Sequence, residues 1–233
     1  ENLELFNQNH FDYIVIDETH RAGAKSYLSV INYFNPKFLL GMTATPERTD
    51  GVDVFNLFDY NLAYEIRLND ALEEKMLSPF HYYGVCDLTV NGEQIDDKTD
   101  FNKLVAEERV ARIIEAAKRY GCDNGRVRGL IFCSRTEIAD EFSRLFNLKG
   151  FRTISLTGKD SEIDRQQAIS RLESDDRDSL DYIFTVDIFN EGIDIPAVNQ
   201  IIMLRPTQSA IIFVQQLGRG LRKIEGKEYL TVI

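Results

Sequence analysis

Short apolar runs recur along this chain, each ending in carboxylate, hydroxyl or glycine residues and each separated from the next by an amphipathic stretch. The run 11–16 is closed by Asp17 and Glu18, and Phe38-Leu39-Leu40-Gly41-Met42 ends in Thr43-Ala44-Thr45-Pro46. Between them Tyr27, Leu28, Ile31 and Phe34 recur at helical spacing. The length and β-branched content of the first run suit a strand buried on both faces. Two such strands joined through a helix cannot pair as a hairpin, so a parallel sheet and an α/β fold follow.

A charged connector, helical through 70–75 and followed by Pro79, separates this unit from a second series. The boundary is therefore set between 1–78 and 79–233. In the second part apolar strands are expected at 80–85, 129–133, 152–156, 182–186, 200–204 and at the end of the chain. Helices are expected at 103–119, 138–148, 162–173 and from about 209, and 91–100 reads as a polar loop. Six strands alternating with helices make a complete doubly wound domain, whereas the first part has too few strands for one.

Hydrophobic residues at 43% and charged residues at 28% exclude a disordered chain. The net charge of −11 argues against bulk electrostatic capture of DNA or RNA, so nucleic-acid binding would need a local groove. Cys86, Cys122 and Cys133 are odd in number and form no CxxC pair, which indicates neither a zinc site nor a disulfide framework. No run approaches the length of a membrane span and no signal peptide is visible, so a reducing cytoplasmic setting is expected. The sequence opens without methionine and closes in a strand-like run, and a piece of a longer chain is expected.

Three residue groups can carry chemistry. Asp17-Glu18-Thr19-His20 lies at the carboxyl end of a strand, where open α/β sheets bind ligands. Adjacent carboxylates there suit a hydrated Mg²⁺ and a water directed at phosphorus. An acidic turn solvated at a strand end is the competing reading of these four residues alone. Thr43 and Thr45 end the neighbouring strand beside them, as a turn would also explain. In Gln215-Gln216-Leu217-Gly218-Arg219-Gly220-Leu221-Arg222 two arginines fall on one side of a helix, and its two glycines allow a close approach by backbone or phosphate. Paired guanidinium groups match the charge that develops on a γ-phosphate.

Together with Glu191-Gly192-Ile193-Asp194, these groups resemble, in order and spacing, motifs II, III, V and VI of the superfamily 2 helicases of the DEAD/DEAH type. The branch they resemble contains the motor subunits of type III restriction enzymes. The resemblance runs from about Phe11 to Arg222. It implies two RecA-like parallel-sheet domains, the first incomplete, with ATP bound between them and Mg²⁺ held by Asp17 through water. Glu18 would activate the hydrolytic water and His20 would link the nucleotide site to the motor surface. Thr43 and Thr45 would couple hydrolysis to domain movement. Gly192 and Asp194 would approach the nucleotide, with Asp194 on the ribose, and Gln215 would take the first polar position of motif VI. Arg219 and Arg222 would act as arginine fingers.

Ser134 and Arg135, in the position of motif IV, and Thr157 and Gly158 after the next strand, suit contacts to nucleic-acid phosphates that read no sequence. Ordinary strand-to-helix turns are the alternative for both loops. Cys133 beside them reads as a core residue. Two departures weaken the match: Val186 replaces the threonine that usually opens motif V, with Thr185 one position early, and Gln216 stands where many DEAD-box members have arginine.

A third departure is an absence. No GxxxxGKS/T loop is present; Gly158-Lys159 and Gly226-Lys227 are followed by Asp160 and Glu228. Without that phosphate cradle the chain alone should bind ATP weakly, and an upstream segment is expected to supply it. The expected function is ATP-driven movement on nucleic acid, with DNA favoured and RNA the alternative. A non-catalytic binding module that kept the fold is the reading of a different class.

Overall fold

The computed structural model describes residues 3–19, 25–43, 53–86, 89–90, 93–94, 107–186, 188, 195–204 and 210–233. The chain divides into two compact units, Glu1–Ile66 and Arg67–Ile233. Residues 67–78, grouped with the first part on sequence, pack with the second. Leu68 and Leu77 lie against its core, and the Ser78 N–H donates to Leu221 O at 2.7 Å. Pro79 suggests a later break. The chain instead passes into the second unit one helix earlier, because Leu68 of α2 (Leu68–Glu73) and Leu77 beyond it pack onto that core.

In the first unit β1 (Tyr13–Ile16) and β2 (Phe38–Gly41) pair in parallel, Tyr13 opposite Phe38 and Ile16 opposite Gly41, with α1 (Lys25–Tyr33) between them in sequence. Ile16 and Phe34 are buried. The alternation along β1 differs from the two-faced burial expected for it. Tyr13 is 73% and Val15 56% exposed, so only one pleat of this pair of strands is covered.

The second unit holds a six-stranded sheet. It is formed by β3 (Phe80–Tyr82), β6 (Gly129–Phe132), β7 (Thr153–Leu156), β8 (Tyr182–Thr185), β9 (Gln200–Met203) and β10 (Leu230–Val232). The spatial order is β3-β10-β9-β6-β8-β7, and every pairing is parallel. Two short strands, β4 (Thr89–Val90) and β5 (Glu93–Gln94), pair antiparallel where the sequence reads as leading into a polar loop. Asn91-Gly92 between them is a strong hairpin signal.

Each strand sends alternate residues to opposite layers. Leu130 and Phe132 of β6, with Ile183 of β8, join one cluster with Ala168, Ile169 and Leu172 of α5 (Glu162–Glu173) and Leu217 of α6 (Ala210–Gly218). Ile131, Tyr182 and Phe184 join the other. They pack there with Val110 and Ile114 of α3 (Glu107–Tyr120) and Phe142 and Phe146 of α4 (Thr136–Leu148). A sheet covered on both faces explains why these strands read as continuous apolar runs. Cys133 lies in the second cluster, and burial pushes its thiol up to about 12, which suits packing and not nucleophilic chemistry.

Phe142 is fully buried, its ring 6.3 Å from that of Phe184. Phe142→Ala should cost about 3–5 kcal/mol, seen as a lower urea midpoint with an unchanged denaturant slope.

Candidate nucleotide and nucleic-acid site

The first cluster forms where β1 and β2 end side by side. The Met42 N–H donates to Ile16 O at 2.9 Å, and the Thr19 N–H donates to Met42 O at 2.9 Å. The buried Thr19 hydroxyl contacts both Ile16 O at 2.8 Å and Met42 O at 3.0 Å. Thr19 therefore stitches the turn after β1 to the end of β2, a role that only the fold reveals. Gly41 makes the close approach feasible, since a Cβ there would stand 2.8 Å from Thr19 and 2.5 Å from the Phe58 ring.

Beside this clamp, at the strand end, Asp17 is exposed and Glu18 half-buried, with the Glu18 N–H donating to Asp17 Oδ1 at 2.9 Å. Glu18 has φ of 50°, in the left-handed region that non-glycine residues seldom occupy. Thr43 follows Met42 directly, so Asp17, Glu18 and Thr43 sit on adjoining strand ends. His20 and Thr45 lie outside the described residues.

The second cluster begins on α6. Gln215 is half-buried and Gln216 buried, and the helix ends in a turn in which the Arg219 N–H donates to Gln216 O and the Gly220 N–H to Leu217 O. Arg219 is half-buried and Arg222 exposed, while Leu221 between them is buried in the core. The two glycines differ. A Cβ on Gly218 would meet nothing within 4 Å, but one on Gly220 would stand 2.5 Å from Leu230 Cδ1. Gly220 thus serves packing of the turn onto β10. Gly220→Ala should destabilise by about 1–3 kcal/mol through overpacking, read as a lower thermal midpoint, whereas Gly218→Ala should not.

The loops after β6 and β7 leave the same carboxyl edge of the sheet, with β8 between them, about 10 Å apart by strand spacing. Ser134 and Arg135 follow β6 and enter α4. After β7, Thr157 is buried, and both its N–H (2.6 Å) and its hydroxyl (3.1 Å) donate to Asp160 Oδ2. Gly158 has open space where a Cβ would be. The hydroxyl and N–H expected to meet a phosphate at Thr157 are thus engaged by a carboxylate from their own loop. Thr185, the early threonine of motif V, is fully buried in β8 and does not reach the surface. Gly192 and Asp194 lie outside the described residues.

Among the described residues no group of three or more His, Cys, Asp and Glu could hold a metal ion by itself. No helix among them is long and apolar enough to cross a membrane.

Comparison with known proteins bears on the family and the fold. Residues 1–48 match the model for the type III restriction enzyme res subunit, and 108–223 match the helicase conserved C-terminal domain. A type I restriction enzyme EcoAI endonuclease subunit from Escherichia coli is 28% identical over 272 residues, covering 100% of this chain and 33% of that protein. A solved fragment described as an HsdR subunit of a type I restriction enzyme from Vibrio vulnificus YJ016 is 25% identical. It covers 99% of this chain and 44% of its own, with a TM-score of 0.75. The ATP-dependent type ISP restriction-modification enzyme LlaBIII, solved bound to DNA, shares the fold at 20% identity and a TM-score of 0.67, over 96% of this chain and 18% of its own. The chain spans between 33% and 46% of the length of the first curated relatives it matches. With two helicase-type models in sequence order, a shared fold over nearly the whole chain, and Asp17, Glu18 and Thr43 at the ends of a parallel strand pair, the chain belongs to the superfamily 2 helicases and resembles their restriction-enzyme motor subunits.

Proposed function

We propose that this chain forms part of a nucleic-acid-dependent ATPase that moves along or unwinds its polymer, with DNA favoured and RNA the alternative. The observation that carries the reading is the end of β1. An acidic pair with Glu18 in a left-handed turn is locked by Thr19 to the adjoining strand that ends in Thr43. Backbone strain of this sort persists where surrounding structure enforces it and collects at functional sites. The DNA bound to LlaBIII, which shares this fold, supports the choice of polymer.

In this reading the first unit belongs to a first RecA-like domain and the second to a second, with the boundary after residue 66 and not after 78. Asp17 would hold Mg²⁺, which commonly takes one or two carboxylates, substrate phosphates and several waters, so a single aspartate suits it. Bound Mg²⁺ would neutralise phosphate charge. Glu18 orients and deprotonates the attacking water. His20, Thr43 and Thr45 relay the state of the nucleotide, Gly192, Asp194 and Gln215 bind it, and Arg219 and Arg222 stabilise charge on the phosphates. Ser134, Arg135 and Gly158 meet the polymer backbone, while Thr157, held by Asp160, shapes the loop that carries Gly158. The phosphate loop comes from sequence outside these 233 residues, which alone bind ATP weakly, and the working protein is cytoplasmic.

The absent phosphate loop favours one other reading, a binding module that keeps the fold without turnover. ATP hydrolysis by the full-length protein with Mg²⁺, alone and with single-stranded DNA, duplex DNA or RNA, separates the two. Strong stimulation by one polymer is expected, and no hydrolysis under any condition would leave the binding module.

A further inference from the structure

Gly226-Lys227 resembles the end of a phosphate-binding loop by composition, yet its lysine faces inward to the protein's own backbone. Lys227 Nζ donates to Pro196 O at 2.9 Å, Gly220 O at 2.5 Å and Arg222 O at 3.2 Å. These acceptors come from two segments far apart in sequence. Pro196 closely follows the Glu191–Asp194 motif region, and Gly220 and Arg222 belong to the turn that bears the arginines. From these contacts we infer that Lys227 is a positioning residue, whose ammonium group clamps the end of the first segment to the arginine-bearing turn and so fixes the placement of Arg219 and Arg222. The inference rests on the proposed ATPase role of those arginines.

The lysine is itself held in place. The Glu228 N–H donates to the buried Asp123 Oδ2 at 2.7 Å, and the Asn124 amide reaches Gly226 O, so both neighbours of Lys227 are tied to the 121–125 loop. Asn124 adopts φ of 61° and Gly226 φ of 82°, the conformations that bring these two turns together. An ammonium group has three N–H donors, and here each finds one carbonyl. Burial pulls Lys227 down to about 8, with Asp123 opposing, so the group keeps its third proton at neutral pH. Carbonyls at the end of a helix and in the turn beyond it lack partners within the helix, and a cation is the natural group to satisfy them.

The test compares Lys227→Met, which keeps the length and apolar stem but removes all three donors, with the unmodified full-length protein. Two readouts are needed. Amide exchange should rise about tenfold in both 195–198 and 219–223 while the strands β6 and β8 stay protected. In the same variant, kcat for nucleic-acid-stimulated ATP hydrolysis should fall about tenfold with KM for ATP little changed, the split expected when a transition-state contact is misplaced and binding is not. Unchanged exchange in either segment would overturn the clamp. Raised exchange with unchanged kcat would overturn its positioning role. If the unmodified protein itself hydrolyses no ATP, the ATPase reading fails and with it the positioning role, while exchange still decides whether the clamp exists.

Discussion

Glu18→Gln should lower the ATP hydrolysis rate of the full-length protein by about 10²–10⁴-fold while leaving ATP binding intact, the range a lost general base produces. Glu18→Gln keeps the length and shape of the side chain while removing its charge and basicity. Glutamine has the size of glutamate and can occupy the same turn, whose geometry is imposed from below by Thr19 and its contacts to Ile16 O and Met42 O. The left-handed backbone at φ 50° is therefore kept, and so is the Glu18 N–H bond to Asp17 Oδ1, which involves no side-chain atom of Glu18. What disappears is a basic carboxylate oxygen at the strand end. Turnover measured by phosphate release and affinity measured with a non-hydrolysable ATP analogue should then part company. Unaltered hydrolysis would remove Glu18 from the role of base, and joint loss of both would show that the turn serves binding.

How far such a site can be read without coordinates depends on whether its parts are local. The second sheet was legible mainly through its central strands, since β6, β8 and β9 are buried on both faces, which leaves continuous apolar runs. Helix α5 was legible to the residue, because Ser161 and Asp164 form a reciprocal cap at its start. The exposure of Tyr13 and Val15 was not, since a run reads the same whether one face or two are covered. Asn91-Gly92 is a local hairpin signal. The contacts that no local pattern marks act across the chain. Ser78 touches the backbone at 221 and 222 from far away in sequence, Lys227 reaches Pro196, and Thr19 crosses to Met42. Residue type and local spacing point to none of these contacts, and what assigns them work is topology. Thr157 shows the converse. Its hydroxyl was a fair candidate for a phosphate contact, and three positions along the chain Asp160 takes it.

The same distinction between a side chain and its mounting governs Arg222. Its backbone is anchored from several directions. Its carbonyl accepts from the Ser78 hydroxyl at 3.2 Å and from Lys227, the preceding Leu221 is buried, and Gly220 packs on Leu230. The side chain stands at the surface. A charge carried on so fixed a base needs little reorganisation when phosphate charge develops, which is the condition for strong electrostatic stabilisation. Arg222→Ala should thus cost about 10³–10⁵ in kcat, the range for an arginine finger, with ATP affinity kept and the thermal midpoint nearly unmoved. Arg222→Lys should recover little, because an ammonium group lacks the planar fork that grips two phosphate oxygens. A thermal midpoint lowered along with kcat would instead assign the arginine to the fold. Hydrolysis at the original rate would remove it from the site, and Arg219, half-buried on the same turn, would be the one arginine left to meet the phosphates.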